Sequence, residues 1–118
     1  FATGHMLWQA LEAEKILFSL GVSCEVINIH TIKPLDEEII LESIKKTKSA
    51  ISCEEHNIIG GLGESISRLI SEKYPIPFKV IGVNDSFGES GKPLDLLEKY
   101  NLNPLSIKEA ALEVIDKK

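Results

Sequence analysis

From Met6 onward, apolar residues recur at alternating four- and three-residue steps through Ala10, Ala13, Leu17 and Leu20, while Gln9, Glu12, Lys15 and Ser19 take the other side. This spacing predicts an amphipathic helix that Gly21 ends. Val22 to Ile29 is a short run rich in β-branched residues with little polarity, the pattern of a strand covered on both faces. Asp36 is placed to cap a second helix behind Pro34. Glu37 and Glu38 suit the positive end of its dipole, Lys45 and Lys46 suit the negative end, and Ile40, Leu41 and Ile44 form its inner face. Ala50 to Cys53 reads as the next strand, and Leu62, Ile66, Leu69 and Ile70 repeat at helical spacing after it. Tyr74-Pro75-Ile76-Pro77 stops that helix and launches a strand over Phe78 to Val83. A loop from Asn84 to Lys92 leads into a short helix with Pro93 in its first turn. A final helix is expected from Ser106, with Ser106 and Glu109 at capping-box spacing and Ile107, Ala111 and Val114 facing inward.

Strands alternating with helices imply βαβ crossovers, hence a largely parallel sheet with helices on both faces. Ligands and partners of such sheets gather at the carboxyl ends of the strands. The segment after Cys53, the segment after Val83 and Gly4 behind Phe1 to Thr3 all leave from that edge. Ile51 to Ser65 is the richest stretch: an apolar strand runs into Glu54, Glu55 and His56, then a turn with Gly60, Gly61 and Gly63, then a helix N-terminus with unsatisfied N–H groups.

The 118 residues, with 43% hydrophobic content, suffice for one compact domain spanning the whole chain. Gly4-His5-Met6 is read as native sequence, and Phe1 to Thr3 as the stub of a first strand, so a fragment of a longer chain or a separate subunit is expected. Thirteen basic against eighteen acidic side chains give a net charge of −5, and the lysines form no stripe, which argues against nucleic-acid binding. Apolar runs such as Met6 to Trp8 and Ile16 to Phe18 fall far short of the ~20 residues of a membrane span. A soluble, cytoplasmic protein is the expectation. Cys24 and Cys53 lack a CxxC spacing or a histidine pair and are expected to be buried, reduced thiols.

The chemistry-bearing residues also have plain structural readings. Gly60-Gly61-Leu62-Gly63 could cradle a phosphate, but a dinucleotide fingerprint needs a small residue where Ile66 stands, so a tight strand-to-helix turn is the simpler reading. Ser86 to Pro93, SFGESGKP, has Ser86 and Pro93 where a P-loop requires glycine and Ser or Thr. His56 could donate to a substrate oxygen or shuttle a proton. Glu54 and Glu55 are neighbours on a strand and point to opposite faces, which disfavours an acid/base pair. His5, His30 and His56 have no zinc-ligand spacing, and no nucleophile elbow is present. Asn84 and Asp85 suit a turn built by their own side chains. Together with the His56 segment and Phe87-Gly88 they could also form a rim that docks against another domain.

Ala2-Thr3-Gly4 before a helix, NIHTIKPLD from Asn28 to Asp36, EEHNIIGGLG from Glu54 to Gly63, GVNDSFGESGKP from Gly82 to Pro93 and LLEKYNL from Leu96 to Leu102 follow in order over essentially the whole chain. In these segments the chain resembles the C-terminal domain of transketolases, a domain type shared with 1-deoxyxylulose-5-phosphate synthase and the β subunits of 2-oxoacid dehydrogenases. The resemblance implies a three-layer α/β/α domain with a mainly parallel five-stranded sheet and one antiparallel edge strand. It implies an enzyme that uses thiamine diphosphate and a divalent metal, Mg in the complete enzyme, to move a two-carbon ketol unit between sugar phosphates. In that family the cofactor lies between a diphosphate-binding and a pyrimidine-binding domain, and this chain has no GDG-type metal-binding segment. The expectation is a domain that binds no cofactor or metal, holds no catalytic residue, packs on the pyrimidine-binding domain and helps a homo-oligomer assemble. Its interface or substrate-rim candidates are Glu54, Glu55, His56, Asn57, Gly60, Gly61, Gly63, Asp85, Phe87 and Gly88. A stand-alone anion- or nucleotide-binding module using the glycine turn is the alternative from another class.

Overall fold

The computed structural model describes residues 1–4, 6–30, 34–57, 61–83 and 103–118. Its elements are α1 (Met6–Ser19), α2 (Glu37–Thr47), β1 (Ala50–Asn57), α3 (Leu62–Lys73), β2 (Phe78–Val83) and α4 (Pro104–Asp116). β1 and β2 run parallel, with Ala50 opposite Phe78 and Cys53 opposite Ile81. Ala2 bridges in parallel to Cys53 on one side and to Asn28 on the other. The sheet therefore runs from the Val22–Ile29 arm through the Phe1–Thr3 segment to β1 and β2. These are the parallel members expected from the sequence. The arm is held to Ala2 by two backbone bonds of 3.0 Å, from Ala2 N–H to Ile27 and from Ile29 N–H to Ala2. The antiparallel edge strand and the short helix after Pro93 lie outside the described residues.

Period-two alternation assigns the sheet residues to two cores. Ala2, Ile51, Cys53 and Ile81 pack with Met6, Ala10, Ala13 and Ile107 beneath α1 and α4. Phe1, Ile27, Ile29, Ala50 and Phe78 pack with Ile40, Ile44, Leu62, Ile66, Leu69 and Ile70 beneath α2 and α3. Three layers result.

The helix boundaries follow from their caps. Gly21, at φ 85°, closes α1; the Val22 N–H reaches Leu17 at 2.9 Å and the Gly21 N–H reaches Phe18 at 3.0 Å, a Schellman closure that only a left-handed residue permits without strain. Leu20, expected on the buried face, is 57% exposed because the helix has already ended at Ser19. Asp36 caps α2 as expected, its Oδ1 accepting from the Ile39 N–H at 3.4 Å. In α4 the expected Ser106 cap is corrected: Asn103 is the N-cap and accepts from the Ser106 N–H at 2.9 Å, with Pro104 opening the helix. Ser106 occupies the third helical position, so its N–H is the donor that the cap satisfies. The inner faces expected for α3 and α4 are buried, as are Ile40 and Ile44 of α2, with Leu41 half-buried. Cys53 is buried and Cys24 half-buried; neither is in a disulfide.

Candidate functional site

The carboxyl edge of the sheet is where the sequence directs attention. β1 continues past the expected end at Cys53 as far as Asn57. Four residues separate Cys53 from Asn57, whereas two separate their partners Ile81 and Val83. This irregularity lies between Cys53 and Asn57, at the strand's end. Asn57 is opposite Val83, so the segments that follow the two strands leave from one place on one edge.

Glu54 points from β1 into the α2/α3 side of the sheet and is only 2% exposed. Its Oε2 accepts from the Gly63 N–H at 2.7 Å. The geometry explains the contact. Gly61, the N-cap of α3, has no side chain with which to satisfy the first-turn donors, and the Glu54 carboxylate supplies an acceptor and a negative charge at the positive end of the helix. Gly63 is itself buried, and a Cβ there would lie 2.8 Å from Val80 Cγ2 and 2.9 Å from Ser52 Oγ. Glycine is required because α3 lies directly on the sheet. Ser52 Oγ is fully buried without a hydrogen-bond partner among the described residues.

Of the rim candidates, Glu54 and Gly63 are therefore interior residues that dock α3 on β1, and Gly61 caps that helix. Glu55, His56 and Asn57 lie on the last stretch of β1. Gly60, Asp85, Phe87 and Gly88 lie outside the described residues. The Glu54 brace was hidden in the sequence because its period-two position matters only once α3 is seen to start beside it. The signal was a glutamate eight residues ahead of a helix whose N-cap is glycine.

Among the described residues, the groups with shifted titration lie mostly away from this edge. Burial, aided by the neighbouring Glu54 charge, pushes the Cys53 thiol up to about 11, in keeping with its place in the core. The hydrogen bond from Lys46, with a second from Ser43, holds Glu25 below the usual carboxylate range. These bonds, 2.6 Å from Lys46 Nζ and 2.8 Å from Ser43 Oγ, clasp the Val22–Ile29 arm to α2. A cavity of about 560 Å³ lies at the opposite, amino end of the sheet, lined by residues including Phe1, Leu17, Val26, Ile51 and Val114. No helix among the described residues is long and apolar enough to cross a membrane.

Comparison with known proteins agrees with this architecture. The transketolase C-terminal domain family matches residues 1–107. A 6-deoxy-6-sulfo-D-fructose transketolase subunit of a Clostridium species (strain MSTE9) is 42% identical over 99% of this chain and 36% of its own length. A 1-deoxy-D-xylulose-5-phosphate synthase of Caldanaerobacter subterraneus is 36% identical over 96% of this chain and 18% of its own length. Among solved structures, a split-gene transketolase described as an inactive β4 tetramer superposes with a TM-score of 0.91 at 42% identity, covering 98% of this chain and 38% of that one. The chain thus spans little more than a third of the length of its transketolase relatives, and less of the synthase. With a family match over most of its residues and a shared α/β architecture, the chain belongs to the transketolase C-terminal domain family.

Proposed function

We propose that this chain is the C-terminal domain of a thiamine-diphosphate-dependent transketolase, as part of a longer polypeptide or of a split enzyme. It docks through the carboxyl edge of its sheet on the pyrimidine-binding domain, supports assembly of the oligomer and leaves two-carbon ketol transfer to its partners. The observation that carries this reading is the pairing of Asn57 with Val83, which brings the EEHNIIGGLG and GVNDSFGESGKP segments out at one edge.

No group of three His, Cys, Asp or Glu among the described residues could hold an ion. At the N-terminus of α3, where a diphosphate would be drawn, the Glu54 carboxylate already takes the Gly63 N–H. The same like charge weighs against the stand-alone anion- or nucleotide-binding module.

The test is a thermal shift. Thiamine diphosphate with Mg²⁺ should leave the midpoint of this chain unchanged, whereas the complete enzyme should rise, since a ligand at 100 times its Kd contributes about 2.7 kcal/mol. A clear upward shift of this chain alone would contradict the reading. The synthase relative at 36% identity keeps a second activity in view. Assaying the complete enzyme for ketol transfer between sugar phosphates separates the two.

A further inference from the structure

α1 is apolar on two faces. Met6, Ala10, Ala13 and Leu17 form its inner face and are buried in the core that it shares with α4. Trp8, Leu11 and Phe18 lie on the opposite side and are 64%, 37% and 71% exposed. A surface helix ordinarily sets charged and polar side chains opposite its core stripe, and two large aromatics turned outward mark a place of contact. Trp8, Leu11, Lys15 and Phe18 recur at steps of three, four and three residues, which are the a and d positions of a short coiled-coil seam. Lys15 is the single charged member of the seam, and its Nζ lies 3.2 Å from Glu12 Oε1 on the same helix.

We propose that this seam meets the same seam of a second copy of the chain, the two α1 helices running antiparallel about a two-fold axis. The inference deepens the reading above that the domain supports assembly of an oligomer, by naming the face that two copies share. The pattern of the seam is self-complementary, as a two-fold contact requires. Run antiparallel, it sets Trp8 opposite Phe18 and Leu11 opposite Lys15 at both ends. The Lys15 stem then covers Leu11 of the second copy, and its ammonium group reaches Glu12 of that copy, so the ion pair within one helix is shared across the axis. A parallel arrangement would instead stack Lys15 on Lys15, which like-charge repulsion disfavours. The two aromatics contribute on the order of 200–350 Å² per copy. That is less than the ~800 Å² per partner of a stable interface, so contact through the seam alone is weak and shows at high concentration.

Trp8 is the only tryptophan of the chain, so its emission reports the contact directly. The experiment follows sedimentation equilibrium and tryptophan emission of this chain from ~10 µM to ~1 mM, a range that brackets the Kd of so small an interface. The mass is expected to rise toward twice that of the monomer, with a blue shift of the emission over the same range. Phe18→Ser should weaken association at least ~tenfold while leaving the melting midpoint at ~10 µM unchanged, because the residue it replaces is exposed. Lys15→Glu should weaken association as well, and Glu12→Lys with Lys15→Glu should restore it. A constant monomer mass with constant emission would overturn the proposal, as would a dimer that forms without the blue shift or survives Phe18→Ser. A double exchange no better than Lys15→Glu alone would overturn the antiparallel register. A monomeric chain whose peptides covering 8–18 slow their exchange only when the partner domains are added would give the seam to those domains instead. Failure of the docking edge would show separately, in the peptides covering 54–63.

Discussion

Replacing Gly63 with alanine sets two effects of known size against each other. In an exposed helix the change would gain about 1 kcal/mol from propensity. Here the new methyl would lie 2.8 Å from Val80 Cγ2 and 2.9 Å from Ser52 Oγ, and closer still to Val80 Cγ1. Carbon pairs settle near 3.5–4.0 Å, so the overlap approaches an ångström against a β-branched side chain that has little freedom to turn. Overpacking of this kind costs about 1–3 kcal/mol. Any slide of α3 that relieves it also lengthens the 2.7 Å bond from the Gly63 N–H to Glu54, a charge-assisted bond worth about 1.5–3 kcal/mol. The expected net loss is about 1–3 kcal/mol, read as a lower urea midpoint at unchanged slope. Val80→Ala in the same chain should restore part of that loss, giving a coupling of about 1 kcal/mol in a double-mutant cycle. A Gly63→Ala chain as stable as the parent would refute the claim that α3 sits directly on the sheet at this residue.

Glu54→Ala should cost about 2–3 kcal/mol by leaving the Gly63 N–H buried without its acceptor, and Glu54→Gln, which retains an oxygen there, should cost clearly less; equal losses would show that the hydrogen bond is unimportant. Cys53 is protonated in the fold up to about pH 11 but would ionise near its ordinary 9.0 when unfolded, so its contribution is intact below pH 9 and declines by up to about 2.7 kcal/mol as the pH climbs to 11. In Cys53→Ala that part of the alkaline decline should disappear from the stability profile. Asn103→Ala should lower stability by about 1 kcal/mol through loss of the α4 cap, whereas Ser106→Ala, which leaves the capping oxygen in place, should change it by less than about half that; the reverse order would return the cap to Ser106.

The described helices were legible because their inner faces are written at helical spacing in residues such as Ala13 and Leu17, Ile40 and Ile44, Leu62 and Ile66, and Ile107 and Val114, which packing then buries. Boundaries were less legible because a boundary depends on the cap. Leu20 continued the apolar period of α1 but lies beyond the Gly21 closure, and Asn103 outcompeted Ser106 by standing before Pro104. The alternation of strands and helices located the common edge, since parallel strands send the segments after Cys53 and Val83 out on the same side. The role of Glu54 within it was not legible, because a strand residue and a first-turn glycine nine positions further on meet only after βα packing. The irregular register between Cys53 and Asn57 was equally hidden, since it depends on the partner strand and not on the residues of β1.

The central claim is that the edge where β1 and β2 end together is the face turned toward the partner domains. Hydrogen exchange of this chain alone and within the complete enzyme tests it most directly. The account predicts slowed exchange in peptides covering 54–63 and 83–88 on assembly, with the C-terminal turn of α2 at Lys45 to Lys48 unchanged. Protection confined to that α2 turn, with the 54–63 and 83–88 peptides exchanging as freely as before, would contradict it.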